Sequence, residues 1–420
     1  MSVQPKPDTP FAAATRVRDP MHLQPGIEPR AHVHYYRLAL ILGALTAVGP
    51  LAIDMYLPAL PTIAREFGTG VSVVQSSLAS YFIGIAIGQA FYGPLSDRLG
   101  RKPSLYLGLT LFMISSIGCA RAESVNTLIA FRFLQALGGC APIVIPRAVV
   151  RDHFDQSGSV RMLSVLMLVM GLAPILAPLI GGQLLVHFGW RAVFWLLTAY
   201  AAVWLVVVAT ALPESLPAAR RLRQPLNAVL GVYGRLIRDR RFMGYALSGA
   251  LIFAGLLAYI SGSPFVFIEL FDVPPERYGL YFGTNAVGII AASQLNRWLV
   301  GRVDTHRILN IVLPVAMIAG IALVVDAYTG LGGFPGILVP LFCYIACHGF
   351  VLPNTTALAM APHGKVAGSA SALLGTFQFV LGAVCGSLIG VFANGTAVPM
   401  AAVVAGCGAT AFLANRFLTT

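Results

Sequence analysis

Gly93-Pro94-Leu95-Ser96-Asp97-Arg98-Leu99-Gly100-Arg101-Lys102 separates two long apolar runs, 71–92 and 103–120. A helix needs ~20 apolar residues to cross a ~30 Å hydrocarbon core, so the stretch is expected to be a tight turn at a membrane face. Arg98, Arg101 and Lys102 outweigh Asp97, and short loops rich in Lys and Arg stay on the cytoplasmic side. Gly93 is expected to let the end of the preceding helix approach a neighbour closely. Gly100 is expected to supply the positive φ that a short turn needs.

Composition agrees with a membrane chain. Hydrophobic residues make up 57% and charged residues 10%, against about 25% charged in ordinary soluble chains, which excludes a soluble globule. The net charge of +12 would suit nucleic acid. The basic residues, however, fall in short loops between apolar spans, the mark of membrane orientation, and no nucleic-acid partner is expected. Residues 1–37 are polar and rich in Pro and His, with no apolar core of a signal peptide, and are read as a disordered cytoplasmic tail. Cys119, Cys140, Cys343, Cys347, Cys385 and Cys407 lie in apolar stretches and read as small packing residues. Cys343, Cys347 and His348 share a helix, but no second ligand-rich segment accompanies them, so neither a metal nor a cofactor is expected.

Twelve spans are expected, near 38–60, 72–95, 103–120, 125–150, 160–187, 190–212, 242–268, 277–300, 307–326, 335–360, 367–393 and 397–416. A polar, arginine-rich segment at 213–241 divides them into two six-span halves, 38–212 and 242–420. That layout suits a transporter built from repeats. With both termini inside, the inner loops carry most of the Arg and Lys. Trp190 and Trp195 near one face and Trp298 near the other fit interfacial anchors, and packing between helices explains them equally well.

The opening decapeptide resembles the loop between helices 2 and 3 of the major facilitator superfamily. Arg132-Phe133-Leu134-Gln135-Ala136-Leu137-Gly138-Gly139 resembles the family's R-x-x-Q-G element, with the small residues shifted. Gly171-Leu172-Ala173-Pro174-Ile175-Leu176-Ala177-Pro178-Leu179-Ile180-Gly181-Gly182 is similar to its antiporter motif, with Ala177 where a glycine is usual. The narrower runs I-D-M-Y-L-P-A-L-P from Ile53 and P-R-A-V-V-R-D from Pro146, with Ser263-Pro264-Phe265, resemble the bicyclomycin-resistance, or Bcr/CflA, drug-efflux branch. The resemblance implies an all-α membrane protein of the major facilitator fold. It further implies a monomeric, proton-coupled antiporter in the bacterial inner membrane, exporting small amphipathic compounds and catalysing no reaction.

The site residues follow from the census of charges. Asp54 is the one acid well inside a span and Arg132 the one base. An isolated carboxylate in hydrocarbon costs several kcal/mol, so Asp54 must be protonated, paired or facing water. Both residues lie at similar depth, and an Asp54–Arg132 pair, direct or through water, is expected to carry the coupled proton; the other reading has Arg132 bonding backbone carbonyls or snorkelling. Tyr56, Tyr81, Gln135, Tyr259, Asn285, Asn354, Phe377 and Gln378 are the candidates for an aromatic, sparsely polar substrate cavity. Asp97 is expected to dock at the start of span eleven and close the inner side, with Arg98 and Arg101 balancing its charge and meeting lipid headgroups. Pro174, Pro178, Gly181 and Gly182 are expected to pack closely and deformably against the other half.

One rival lies within transport and two belong to other classes. A metabolite exporter would share the fold, a membrane-embedded enzyme would need acids and histidines clustered at one depth, and a receptor or sensor would use the fold without transport. No G-x-x-x-x-G-K-[ST] run occurs, which argues against export driven by ATP bound to this chain.

Overall fold

The computed structural model describes residues 29–221 and 226–419. The expected tail up to residue 28 and Arg223 of the linker lie outside the described residues, as do the side chains of Arg220 and Lys365. The described residues before Ala39 belong to one unit and those from Ala39 on to a second; apart from the start of the first helix, everything that follows lies in the second.

The first span is broken. Helix α1 (Pro29–Asp54) stops at Asp54, a 3₁₀ turn occupies Leu57–Ala59, and α2 (Leu60–Glu66) completes the crossing. Pro58 and Pro61 explain the break, because without N–H groups they leave the carbonyls of Asp54 and Leu57 without their helical donors. The second span, α3 (Val71–Leu99), continues through Gly93 and Pro94, so the opening stretch is helical almost to its end. The turn is Gly100 alone, at φ 104°, before α4 (Arg101–Ala120) begins. Gly93 has nothing within 4 Å of where a Cβ would stand, so it mediates no close approach.

The chain continues through α5 (Val125–His153), α6 (Gln156–Phe188) and α7 (Arg191–Ala211). A short helix, α8 (Leu226–Arg238), lies in the polar segment. Next come α9 (Arg240–Pro264), which ends in a π turn at Phe265–Leu270, then α10 (Pro275–Leu299) and α11 (Thr305–Thr329). The last three are α12 (Gly333–Met360), α13 (Ala367–Val391) and α14 (Val398–Leu418). Among the described residues, 11 helical segments are long and apolar enough to cross a membrane. The exception among the twelve expected spans is α10. Its 25 residues reach about 37 Å, but Glu276, Arg277, Asn285, Gln294, Asn296 and Arg297 dilute its hydropathy. Asn285 and Asn296 are buried against neighbouring helices rather than offered to lipid.

Helix α3 packs on α5 and α13, α6 on α10, and α9 on α13 and α14. Gln75 of α3, fully buried, donates from Nε2 to the Ser261 carbonyl of α9 at 3.0 Å. Trp190 is 2% exposed and donates to Glu66 at 2.6 Å, so it packs between helices. Trp195 and Trp298 are exposed, as interfacial anchors must be.

Candidate functional site

The break in the first span shapes the site. Asp54 ends α1 and is 4% exposed. Among the described residues it has no cation within ion-pair distance and accepts no side-chain hydrogen bond. Arg132 of α5 is fully buried beside it, yet no direct pair is made, and the alternative reading, a bond to a backbone carbonyl, is the one observed. Arg132 Nη1 donates to the Ala52 carbonyl at 3.1 Å and to Gln135 Oε1 at 2.6 Å. Gln135 in turn donates to Ser116 Oγ at 2.7 Å. The guanidinium stacks on Tyr81 at 4.1 Å and Tyr56 at 4.6 Å, with Phe194 at 5.8 Å. A desolvated cation–π contact contributes about 2 kcal/mol, so aromatic faces supply what a carboxylate would otherwise give. Arg132 Nε and Nη2 and the Tyr81 hydroxyl have no hydrogen-bond partner. Tyr56 is anchored by a 2.8 Å bond between its hydroxyl and Ser77 Oγ.

The second set of candidates comes from α9, α10 and α12. Asn285 Nδ2 donates to the Tyr259 hydroxyl at 3.0 Å, and Tyr259 stacks on Phe282 with centroids 5.3 Å apart. The turn that follows Asp54 packs against α9 and α10, so the acid lies near helices from both halves of the chain. Asn354 is spent elsewhere, donating to Asn296 Oδ1 at 2.7 Å in a closed amide pair. Phe377 and Gln378 are half-buried and make no ring or side-chain hydrogen-bond contact among the described residues. The ring that α13 does contribute is Phe379, two positions on and about 200° around the helix. It meets Phe253 at 5.2 Å and Phe82 at 6.3 Å.

At the opposite end the loop residues are tied within their own neighbourhood. Arg101 is 6% exposed, so it is no headgroup contact. It bonds Asp152 at 2.9 Å, Ser96 Oγ at 2.8 Å and Asp97. Asp97 is thereby engaged by Arg101 rather than by the start of α13. Glu214 accepts from the backbone N–H groups of Arg101 at 2.9 Å and Lys102 at 3.1 Å, capping α4. A Cβ on Gly100 would collide with this carboxylate. Asp152 and Glu214 are not among the residues that the sequence singles out. The signal was available in α4, which opens on two basic residues and no acid of its own, against the preference of a helix N-terminus for negative charge.

The glycine pair of α6 lies hard against the backbone of two neighbouring segments. A Cβ on Gly181 would overlap the backbone of Met55, next to Asp54, and one on Gly182 would overlap the Pro275 carbonyl of α10. Gly182 therefore makes the expected contact with the other half. Gly181 does not, because it packs on the broken end of the first span.

A model of the Major Facilitator Superfamily matches residues 42–387. The transporter YdgK of Bacillus subtilis strain 168, described as an uncharacterized MFS-type transporter, is 38% identical, covering 87% of this chain and 91% of the relative. The bicyclomycin resistance protein homolog of Haemophilus influenzae is 32% identical over 91% of this chain and 96% of its own length. Multidrug resistance protein D of Escherichia coli K12 is 28% identical over 84% and 88%. Among solved structures, a nucleoside transporter NupG mutant superposes with a TM-score of 0.73 at 14% identity, over 92% of this chain and 100% of that one. A D-xylose–proton symporter does so at 0.70 and 18%, over 92% and 98%; these two show the fold alone. The chain belongs to the major facilitator superfamily, a multi-pass membrane transporter rather than an enzyme by family and fold. Within the superfamily it falls in the bicyclomycin-resistance-like, Bcr/CflA branch.

Proposed function

We propose that this protein exports small amphipathic drugs or toxic compounds across the bacterial inner membrane in exchange for protons. The names of its relatives, bicyclomycin and multidrug resistance proteins, support the cargo class. The observation that carries the coupling is Asp54, a buried carboxyl at a helix break with no cation paired to it. In a dry site such a group is held in its neutral form, and opening to water on either side lets the proton exchange. Arg132 sets the local field without neutralising the acid. Residues 38–212 and 242–420 act as the two halves that alternate, 213–241 links them, and both termini face the cytoplasm. The protein works as a monomer and releases its substrate chemically unchanged. Tyr56, Tyr81, Gln135, Tyr259 and Asn285, all buried, would line the cavity that opens near Asp54, where a substrate would compete with the proton.

The test is Asp54→Asn in proteoliposomes, with and without an imposed pH gradient. The variant is expected to insert and bind drug but to lose uphill export driven by the gradient. Gradient-driven export at the wild-type rate would overturn the assignment.

A further inference from the structure

One buried polar atom is used by none of the contacts described so far. His348 of α12 is 9% exposed, and its Nε2 has no hydrogen-bond partner. Leaving such an atom unpaired costs about 1–3 kcal/mol, a cost that a ligand group can relieve. The ring lies against Phe253 of α9, with centroids 5.6 Å apart and planes at 40°. Phe253 meets Phe379 of α13 edge-on at 5.2 Å and 72°, and Phe379 meets Phe82 of α3 at 6.3 Å. Four helices, from both the first and second halves of the chain, thus bring one imidazole and three phenyl rings together. Phe253 and Phe379 are only half-buried, so their faces are not consumed by the packing.

We propose that His348, Phe253 and Phe379, backed by the fully buried Phe82, form a subsite that takes a planar aromatic ring of the exported compound, with His348 Nε2 as its hydrogen-bond partner. Offset and edge-on ring geometry accepts a further ring without a fixed register. A neutral imidazole nitrogen donates or accepts according to its tautomer. The subsite therefore selects for flat aromatic bodies bearing one polar group and is indifferent to the rest of the molecule. This inference rests on the export reading above, and it is separated from it by measuring binding rather than transport.

The experiment is fluorescence anisotropy of ethidium, a planar aromatic probe with amino groups, on the purified full chain in detergent. Bicyclomycin, which has no aromatic ring, serves as the comparison ligand by calorimetry. His348→Leu is expected to weaken ethidium binding about three- to tenfold, the loss of one neutral hydrogen bond. His348→Gln should retain most of the affinity. Phe379→Ala, an independent change at the other side of the cluster, should weaken ethidium by a similar factor, and bicyclomycin affinity should stay unchanged in all three. Wild-type ethidium affinity in both His348→Leu and Phe379→Ala would overturn the subsite. So would equal weakening of both ligands, or a wild-type protein that does not bind ethidium. A wild-type protein that binds ethidium but moves nothing in proteoliposomes would overturn the export reading and leave the subsite standing.

Discussion

Replacing Gly181 by alanine adds a single methyl group where α6 meets the backbone of Met55. The methyl would overlap the Met55 carbonyl oxygen, its carbon and its Cα. None of these is the far end of a flexible side chain, so the strain has no cheap release. Overpacking of this kind costs about 1–3 kcal/mol. If the contact exists only in the conformation described here, the equilibrium between conformations shifts away from it by about 5- to 150-fold. The displaced atoms adjoin Asp54, so the coupled proton should feel the change before the fold does. The control is Gly93→Ala, which has open space around it and lies in the interior of α3, where alanine is the better helix former by about 0.5–1 kcal/mol. Both variants go into proteoliposomes, with thermal unfolding in detergent measured alongside. We expect Gly181→Ala to lose most gradient-driven export while remaining monodisperse, and Gly93→Ala to export normally. Wild-type export by Gly181→Ala, with unchanged melting, would refute the reasoning.

Arg132→Lys should behave as a severe change, because an ammonium cannot span the Ala52 carbonyl, Gln135 and two tyrosine faces at once; export assays should show loss of transport and melting a lower midpoint. Arg101→Ala strands Asp152 and Asp97 and should destabilise the protein by about 3 kcal/mol at most, the lower end for a broken buried pair because Asp97 is 37% exposed. The double variant Arg101→Ala with Asp152→Asn should recover part of that loss in the same melting assay. Glu214→Ala uncovers two N–H groups at the start of α4 and should cost about 1 kcal/mol; an unchanged midpoint would deny the cap.

The spans were legible because ~20 apolar residues between basic loops admit few other readings. Gly100 was legible because a turn of one residue demands a conformation that glycine alone adopts freely. Asp54 and Arg132 stood out as charges without water. A direct pair between them is not made, and the second reading, Arg132 on a backbone carbonyl, holds; Pro58 and Pro61 held the clue, since a helix broken at Asp54 frees carbonyls upstream and a neighbouring guanidinium takes one. Phe379 was missed in favour of Phe377 because α13 is apolar around its whole circumference, so periodicity gives no phase. The distant partners of Arg101 lie 51 and 113 residues further along; the acid-free start of α4 shows that a carboxylate is wanted there, but nothing local says which one arrives.

The bond from Gln75 to the Ser261 carbonyl joins a helix of the first six spans to one of the last six, so a chain that alternates its access must break and remake it in every cycle. A neutral hydrogen bond is worth about 0.5–1.5 kcal/mol net, one to three times the thermal energy. Gln75 Oε1 and Ser261 Oγ have no partner in the closed arrangement, and both can take water the moment the helices part. The seal is therefore of the kind that ordinary collisions release. A buried charged pair at the same place would cost more to break on each opening.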